Sequence, residues 1–240
     1  MKINNNLTVV TVNFNNANGL RRTLESISKA KIKPKEIIVI DAKSTDYPES
    51  VIADFKRILN IRFICETDDG IYDGMNKGLS MVKTELVHYL NSGDEIYGDV
   101  YKDVNTECLL PVKIYDERNQ LLGFDFIKAF GTGYNHQGII FSSNHPPYDL
   151  ALSIASDRDL IYKHFYRGLL DLRMQAYGGV KYYLGGASTI NSKRGNIEII
   201  KSLLRNKPNY WFSILIYIIF KSLSLRLFRR YFYKLRVRLK

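Results

Sequence analysis

Between Glu66 and Glu95 the chain gathers its chemistry-bearing side chains in the order E-T-D-D-G-I-Y-D-G-M-N-K-G-L-S-M-V-K-T-E-L-V-H-Y-L-N-S-G-D-E. Asp68 and Asp69 can accept hydrogen bonds from a base or a ribose, and Lys77 is a point charge suited to phosphate. Asp94 follows the apolar run Leu86–Leu90, the kind of place where a buried strand's carboxyl end meets a ligand crevice. Hard carboxylate oxygens there suit Mg²⁺ or Mn²⁺. An acidic loop, a short helix ending in Asn76-Lys77-Gly78, a strand and a second acidic loop therefore follow one another. That order fits a site holding a nucleotide, a phosphate and a divalent metal together.

The elements needed to position these groups are legible in the periodicity. Leu7–Val12 is a β-branched run ending in the polar cluster Asn13–Asn18, which reads as strand then loop. Gly19–Ala30 has Leu20, Leu24 and Ile27 at helical spacing. Glu36–Ile40 reads as a second strand closed by Asp41 and the turn-forming Lys43–Asp46, Val51–Leu59 as a helix and Ile61–Cys65 as a third strand. A helix over Ile71–Met81 and a strand over Leu86–Leu90 complete an alternating series. Such alternation predicts a parallel sheet covered on both faces, with ligand at the strands' carboxyl ends. From Glu95 to Phe130 the pattern thins, and Asp99, Asp103, Asp116 and Asp125 read as solvated loop acids.

The stretch resembles glycosyltransferase family 2, a group of inverting, nucleotide-sugar-dependent enzymes with the GT-A fold. Its surface-polysaccharide branch often reads S-E-x-D-x-G-I-Y-D-A-M-N-K-G, then an apolar strand and N-S-G-D or N-S-D-D. The matching residues are Glu66, Asp68, Gly70–Asp73, Met75–Gly78 and Asn91–Asp94. Further likenesses are T-V-N-F-N-N at Thr11–Asn16, I-V-I-D-A-K-S-T-D at Ile38–Asp46 and N-H-Q-G-I-I-F at Asn135–Phe141. I-A-S-D-R-D-L at Ile154–Leu160 and Y-L-G-G-A-S at Tyr183–Ser188 extend the resemblance from Leu7 to Ser188, with a gap after Glu95.

The resemblance implies a GT-A (Rossmann-like) α/β domain over residues 1–195, with a mostly parallel sheet covered by helices. It places Thr11, Asn13, Asp41, Ser44, Asp69, Asn76, Lys77 and Asn91 around the nucleotide, Asp94 on the metal, and His136 and Gly186 near the acceptor or the diphosphate. Asp157 becomes the base that takes the acceptor hydroxyl's proton. On its own residues each reading has an alternative. Asp157 also reads as a helix N-cap and Asp159 as a first-turn acid, while His136 also reads as a hydrogen-bonded core histidine. The familiar Asp-x-Asp pair is absent, since Asn91 and Gly93 stand where many relatives have acids. One carboxylate is chemically adequate, because Mg²⁺ keeps waters and takes substrate phosphate oxygens.

Other classes lose support. There is no G-x-x-x-x-G-K-[S/T], no G-x-G-x-x-G after a strand and no zinc-type His/Cys spacing. Two cysteines, Cys65 and Cys108, give no disulfide framework and point to a reducing compartment. The polar start, Met1–Asn6, has no apolar signal core, so the expected location is the cytoplasmic face of the plasma membrane.

The membrane enters through the charge distribution. The net charge is +11, and residues 201–240 hold eleven Lys and Arg with no acid, so the rest of the chain is balanced. Tyr210–Phe220 is too short an apolar run to span a bilayer. From Leu225 to Leu239 the apolar and basic residues divide onto two helical faces, as in a helix lying on an anionic surface. Residues 196–240 are therefore expected to be an amphipathic helical membrane-association tail; a helix packed on the catalytic domain is the other reading. The sequence-level expectation is a peripheral enzyme moving a sugar from a UDP-sugar to a lipid-linked saccharide in surface-polysaccharide synthesis, with no nucleic-acid partner. A nucleotidyltransferase and a non-catalytic membrane-bound scaffold are the alternatives.

Overall fold

A computed structural model describes residues 2–125, 134–164, 172–185 and 192–206. In chain order the first half comprises β1 (Lys2–Asn13), α1 (Ala17–Lys29), β2 (Ile32–Asp41), α2 (Pro48–Phe55), β3 (Ile61–Cys65), α3 (Ile71–Met81) and β4 (Leu86–Tyr89). The second half adds β5 (Glu95–Gly98), β6 (Cys108–Leu109), β7 (Val112–Tyr115), β8 (Leu121–Phe124), a 3₁₀ turn (His136–Gly138), β9 (Ile139–Ser142), α4 (Ser156–His164), β10 (Gly178–Tyr183) and α5 (Ser192–Asn206).

The main sheet has the order β3-β2-β1-β4-β9-β6. Its first four strands are parallel and β9 runs antiparallel to both neighbours. Leu7–Val12 and Ile37–Ile40 are buried throughout, as expected for strands covered on both faces. The register pairs Asn13 with Asp41 and Asp41 with Cys65, so the carboxyl ends of three strands finish level. That common edge is the floor of the candidate site.

The helix over Ile71–Met81 and the strand over Ile61–Cys65 lie where the periodicity puts them. Strand β1 starts earlier than expected, because its mostly exposed first residues, Lys2–Asn6, have a single apolar side chain, Ile3, and so no apolar run. Helix α2 is displaced toward its start, with Pro48 in the first turn. The thin region after Glu95 builds most of a second sheet, ordered β5-β10-β7-β8. These strands are short, and β10 opens on Gly178-Gly179. The glycines are there for contact: a Cβ at Gly178 would lie 2.1 Å from Tyr97 O, and one at Gly179 2.1 Å from Pro111 O.

Helix α5 straddles the expected domain boundary at residue 195 and packs on α4. No helix among the described residues is long and apolar enough to cross a membrane. The expected amphipathic stretch from Leu225 to Leu239 and the site residue Gly186 lie outside the described residues.

Helix α3 lies against β1 through its fingerprint glycine, since a Cβ at Gly78 would sit 2.4 Å from Val10 Cγ1. Val10 is fully buried and β-branched, so it has little room to yield. Gly78→Ala should therefore destabilise the fold by about 1–3 kcal/mol through overpacking. Denaturant unfolding measures this directly, and an unchanged midpoint would show that α3 can lift off β1 at no cost.

Candidate functional site

A cleft of about 1170 Å³ runs along the carboxyl edge of the main sheet and under the second sheet. Its walls include Asn13, Asp68, Asn91, Asp94, His136 and Asp157. Buried polar atoms normally find partners, and each exception calls for an explanation. Four side-chain atoms buried without a partner belong to residues lining this cleft: Asn13 Oδ1, Asn91 Oδ1, Ser92 Oγ and His136 Nε2. The cleft is thus built with unused hydrogen-bonding capacity.

At one end Asn13 Nδ2 donates to Asp41 Oδ1 at 2.7 Å, and Ser44 donates twice to Asp41, from Oγ at 2.6 Å and from its backbone N–H at 2.8 Å. The register between β1 and β2 makes this cluster, which joins three of the expected nucleotide residues. Asp41 is fully buried beneath the cleft-lining Ala42. Thr11 is also buried, with Oγ1 unpartnered, behind the strand end.

Three other expected nucleotide residues sit elsewhere. The Asn76 amide bonds the Tyr148 backbone in both directions, with Nδ2 donating to its carbonyl at 2.9 Å and Oδ1 accepting from its N–H at 2.8 Å. Lys77 donates to Thr67 O at 2.6 Å and pairs with Glu66 and Asp73. Asp69 is an exposed loop residue, and none of the three lines the cleft. Asp68 does, with Oδ1 accepting from Gly70 N–H.

The turn after β4 is bolted from three directions. Thr23 of α1, fully buried, donates through Oγ1 to Asp94 O at 2.7 Å and accepts from Gly93 N–H at 3.0 Å. Gly93 has φ of +107°, a conformation that L side chains rarely adopt. The Asp94 carboxylate accepts from Gln137 Nε2 and from Tyr183 N–H, each at 3.0 Å. Gln137 is held in turn by His88 on β4, whose Nε2–H donates to Gln137 O at 2.7 Å. That leaves His88 Nδ1 to accept from the Tyr101 hydroxyl at 3.0 Å. Burial lowers the His88 pKa to about 4, which keeps this strut neutral.

Burial pushes the Asp94 carboxyl up to about 7, with its two hydrogen bonds and the nearby Arg22 pulling it back down. Each carboxylate oxygen accepts one bond from the protein and keeps a second lone pair. Asn91 Oδ1 supplies an unpartnered oxygen from the same turn. Among the described residues no group of three His, Cys, Asp or Glu could hold a metal unaided. Asp94 and Asn91 nonetheless fit a hard cation that takes its remaining ligands from substrate phosphate and water.

Opposite this turn, Asp157 enters from the first turn of α4. Its Oδ1 accepts from its neighbour Arg158 N–H at 2.8 Å and lies 3.1 Å from the Tyr72 hydroxyl. That hydroxyl also lies 2.9 Å from Ile154 O, so one proton serves two acceptors. Tyr72 stacks on Tyr148 at 5.3 Å, and burial raises its phenol well above the ordinary range, ahead of the effect of Asp157's charge. His136, which lines the cleft, is buried, with its pKa lowered by that burial against the pull of Asp157, and its Nε2 has no hydrogen-bond partner. Asp159 is committed instead to structure: it is buried and bonded to Ser202 and Arg205 of α5 and to Lys163.

Residues 8–104 match the family described as Glycosyl transferase family 2. Over this segment, less than half of its length, the chain is similar to glycosyltransferase family 2. An uncharacterized glycosyltransferase of Mycobacterium tuberculosis (strain CDC 1551 / Oshkosh), MT1564, is 27% identical over 178 residues, covering 65% of this chain and 68% of that one. Poly(ribitol-phosphate) beta-N-acetylglucosaminyltransferase TarP of Staphylococcus aureus (strain N315) is 29% identical over 102 residues, which cover 41% of this chain and 31% of TarP. Among solved structures, S. aureus TarS 1–349 in complex with UDP-GlcNAc superposes with a TM-score of 0.61 at 15% identity, covering 86% of this chain and 68% of that one. The mannosyltransferase PcManGT of Pyrobaculum calidifontis, in complex with GDP-Man and Mn²⁺, gives 0.57 at 15% identity over 83% of this chain and 63% of that one. Identities this low establish the shared GT-A fold and nothing finer.

Of the residues expected from the sequence, Asp94, Asn91, His136, Asp157 and Asn13 line the cleft, with Asp41 and Ser44 bonded to Asn13; Tyr72's contact with Asp157 and the struts Thr23, His88 and Gln137 were not among the expectations. The one signal for the struts was polar residues at apolar positions, as with His88 inside Leu86–Leu90. A cation held by Asp94 requires the ionised carboxylate, so its affinity should fall about tenfold per pH unit below 7. The rise in melting temperature produced by excess Mn²⁺ together with UDP, over that with UDP alone, should be larger at pH 8 than at pH 6, and Asp94→Ala should abolish the difference. Equal rises at both pH values in the parent protein would place the ion elsewhere.

Proposed function

We propose that this chain is a family 2 glycosyltransferase that moves a sugar, with inversion, from a UDP-sugar to a hydroxyl of a lipid-linked surface-glycan precursor. The observation that carries this reading is one cleft lined by Asp157, Asp94 and Asn13, the last bonded to Asp41 and Ser44. Direct displacement at an anomeric carbon needs a base for the incoming hydroxyl and an electrophile for the departing diphosphate. Asp157, as a carboxylate, accepts the proton, and Tyr72, hydrogen-bonded beside it, fixes the orientation of its Oδ1. A divalent cation supplies Lewis-acid stabilisation of the diphosphate when bound. Asp94 and Asn91 would hold it, and the unpartnered Nε2 of His136 is available to a phosphate or acceptor oxygen.

The donor class is supported by the UDP-GlcNAc complex of TarS and the acceptor class by the activity in TarP's name. The basic tail supports the lipid linkage and a peripheral place on the cytoplasmic face of the membrane. Its apolar face would enter the interface, while each basic residue near an anionic surface contributes about 1 kcal/mol that salt screens.

Asp157→Asn should keep UDP affinity close to the parent's while lowering turnover by roughly 10²–10⁴-fold. A panel of nucleotide-sugars with saccharide acceptors, read by UDP release, tests both the activity and the residue. Turnover near the parental rate in this variant would remove Asp157 as the base. In flotation assays the full chain should bind anionic liposomes, less so at high ionic strength, and leave neutral ones largely unoccupied. Indifference to anionic liposomes would assign the tail to packing or to a protein partner.

A further inference from the structure

Helix α5 reaches back to the turn that carries Asp157. The Glu198 carboxylate, only 6% exposed, accepts four hydrogen bonds. Oε2 takes Ile154 N–H at 2.7 Å and Ala155 N–H at 3.1 Å, while Oε1 takes Ser153 Oγ at 3.1 Å and Arg194 Nε at 3.0 Å. Ile154 is thus held at both of its backbone polar groups, its N–H by Glu198 and its carbonyl by the Tyr72 hydroxyl at 2.9 Å. The same hydroxyl is 3.1 Å from Asp157 Oδ1.

We propose that Glu198 is a positioning residue that sets the aim of the Asp157 carboxylate through the Ser153–Ala155 backbone. Three features of the contact support a designed clamp over incidental packing. Hydrogen bonds from backbone N–H to a carboxylate are roughly twice as strong as neutral ones, and here two of them meet one oxygen. A turn leading into a helix has N–H groups that the helix cannot satisfy, so an external acceptor decides how it is held. Finally, Gly195 is what lets α5 come this close, because a Cβ there would lie 2.8 Å from Ile154 Cγ2. A second set of bonds, from Ser202 and Arg205 to Asp159 and from Arg205 to Asp149, keeps α5 seated on α4. The helix that opens the basic segment is in this way part of the catalytic apparatus.

The inference rests on the reading of Asp157 as the base, and the test separates the two. In the full chain Glu198→Gln keeps the side chain's size but turns an amide N–H toward groups that are themselves donors. Melting curves establish that the variant is folded. Amide exchange at Ile154 and Ala155 should then quicken, while affinity for UDP stays at the parental level. Displacing a reacting group by about 1 Å can cost on the order of 10²-fold, so kcat should fall by about 10–100-fold with the donor KM unchanged. Glu198→Asp, which restores a carboxylate, should recover part of the loss. Faster exchange with a parental kcat would overturn the proposal, and so would unchanged exchange. Exchange is read without turnover, so a parent protein that transfers no sugar would remove the transferase reading while the clamp is still judged by its amides.

Discussion

A single buried carboxylate joins the two halves of this structure. Asp94 ends the turn that follows the central strand of the main sheet, yet its oxygens are held by Gln137 from the 3₁₀ turn and by the Tyr183 N–H at the end of the second sheet. A buried charge is costly unless it is hydrogen-bonded, so these donors must stay in place wherever Asp94 is ionised. Through them the two sheets share one fixed point, and the cleft between them acquires its shape. Thr23 and His88, both fully buried, carry that constraint into α1 and β4. Losing any strut would release a side chain that faces the cleft.

The fingerprint helix α3 illustrates how one short motif divides its labour. Gly78 brings the helix onto β1, and Asn76 fastens the Tyr148 backbone. Tyr72 stacks on Tyr148 and reaches the carboxylate proposed as the base. Lys77, the residue of the motif best suited to phosphate, is engaged by Glu66, Asp73 and Thr67 at the helix's own N-terminal loop. Most of the motif is therefore architecture, and Tyr72 is its member that touches Asp157.

The α5 contact changes how the basic segment relates to the enzyme. Charge alone separates residues 201–240 from the balanced remainder. Glu198, Ser202 and Arg205, by contrast, bind that helix to α4 and to the turn before it. The start of the basic segment is thereby tied to the turn that leads into α4.

What the sequence determined by itself was local and periodic. The alternation of β-branched runs with helical spacing was enough for the parallel strands, and the long motif runs were enough to point to residues that line one cleft, Asp94 and Asp157 among them. Those signals are carried by neighbours in the chain, where burial on both faces and turn chemistry leave a direct mark on residue type. The second sheet left no such mark, because its strands are short and, apart from the β7–β8 hairpin, pair across large separations, with glycines chosen for contact. The partners of the site were equally silent. Gln137 lies 43 residues from Asp94, Tyr72 lies 85 from Asp157 and Glu198 lies 44 from Ile154. Only the folded chain decides such pairings, since hydrogen-bond geometry depends on where three or four elements meet and not on the spacing within any one of them.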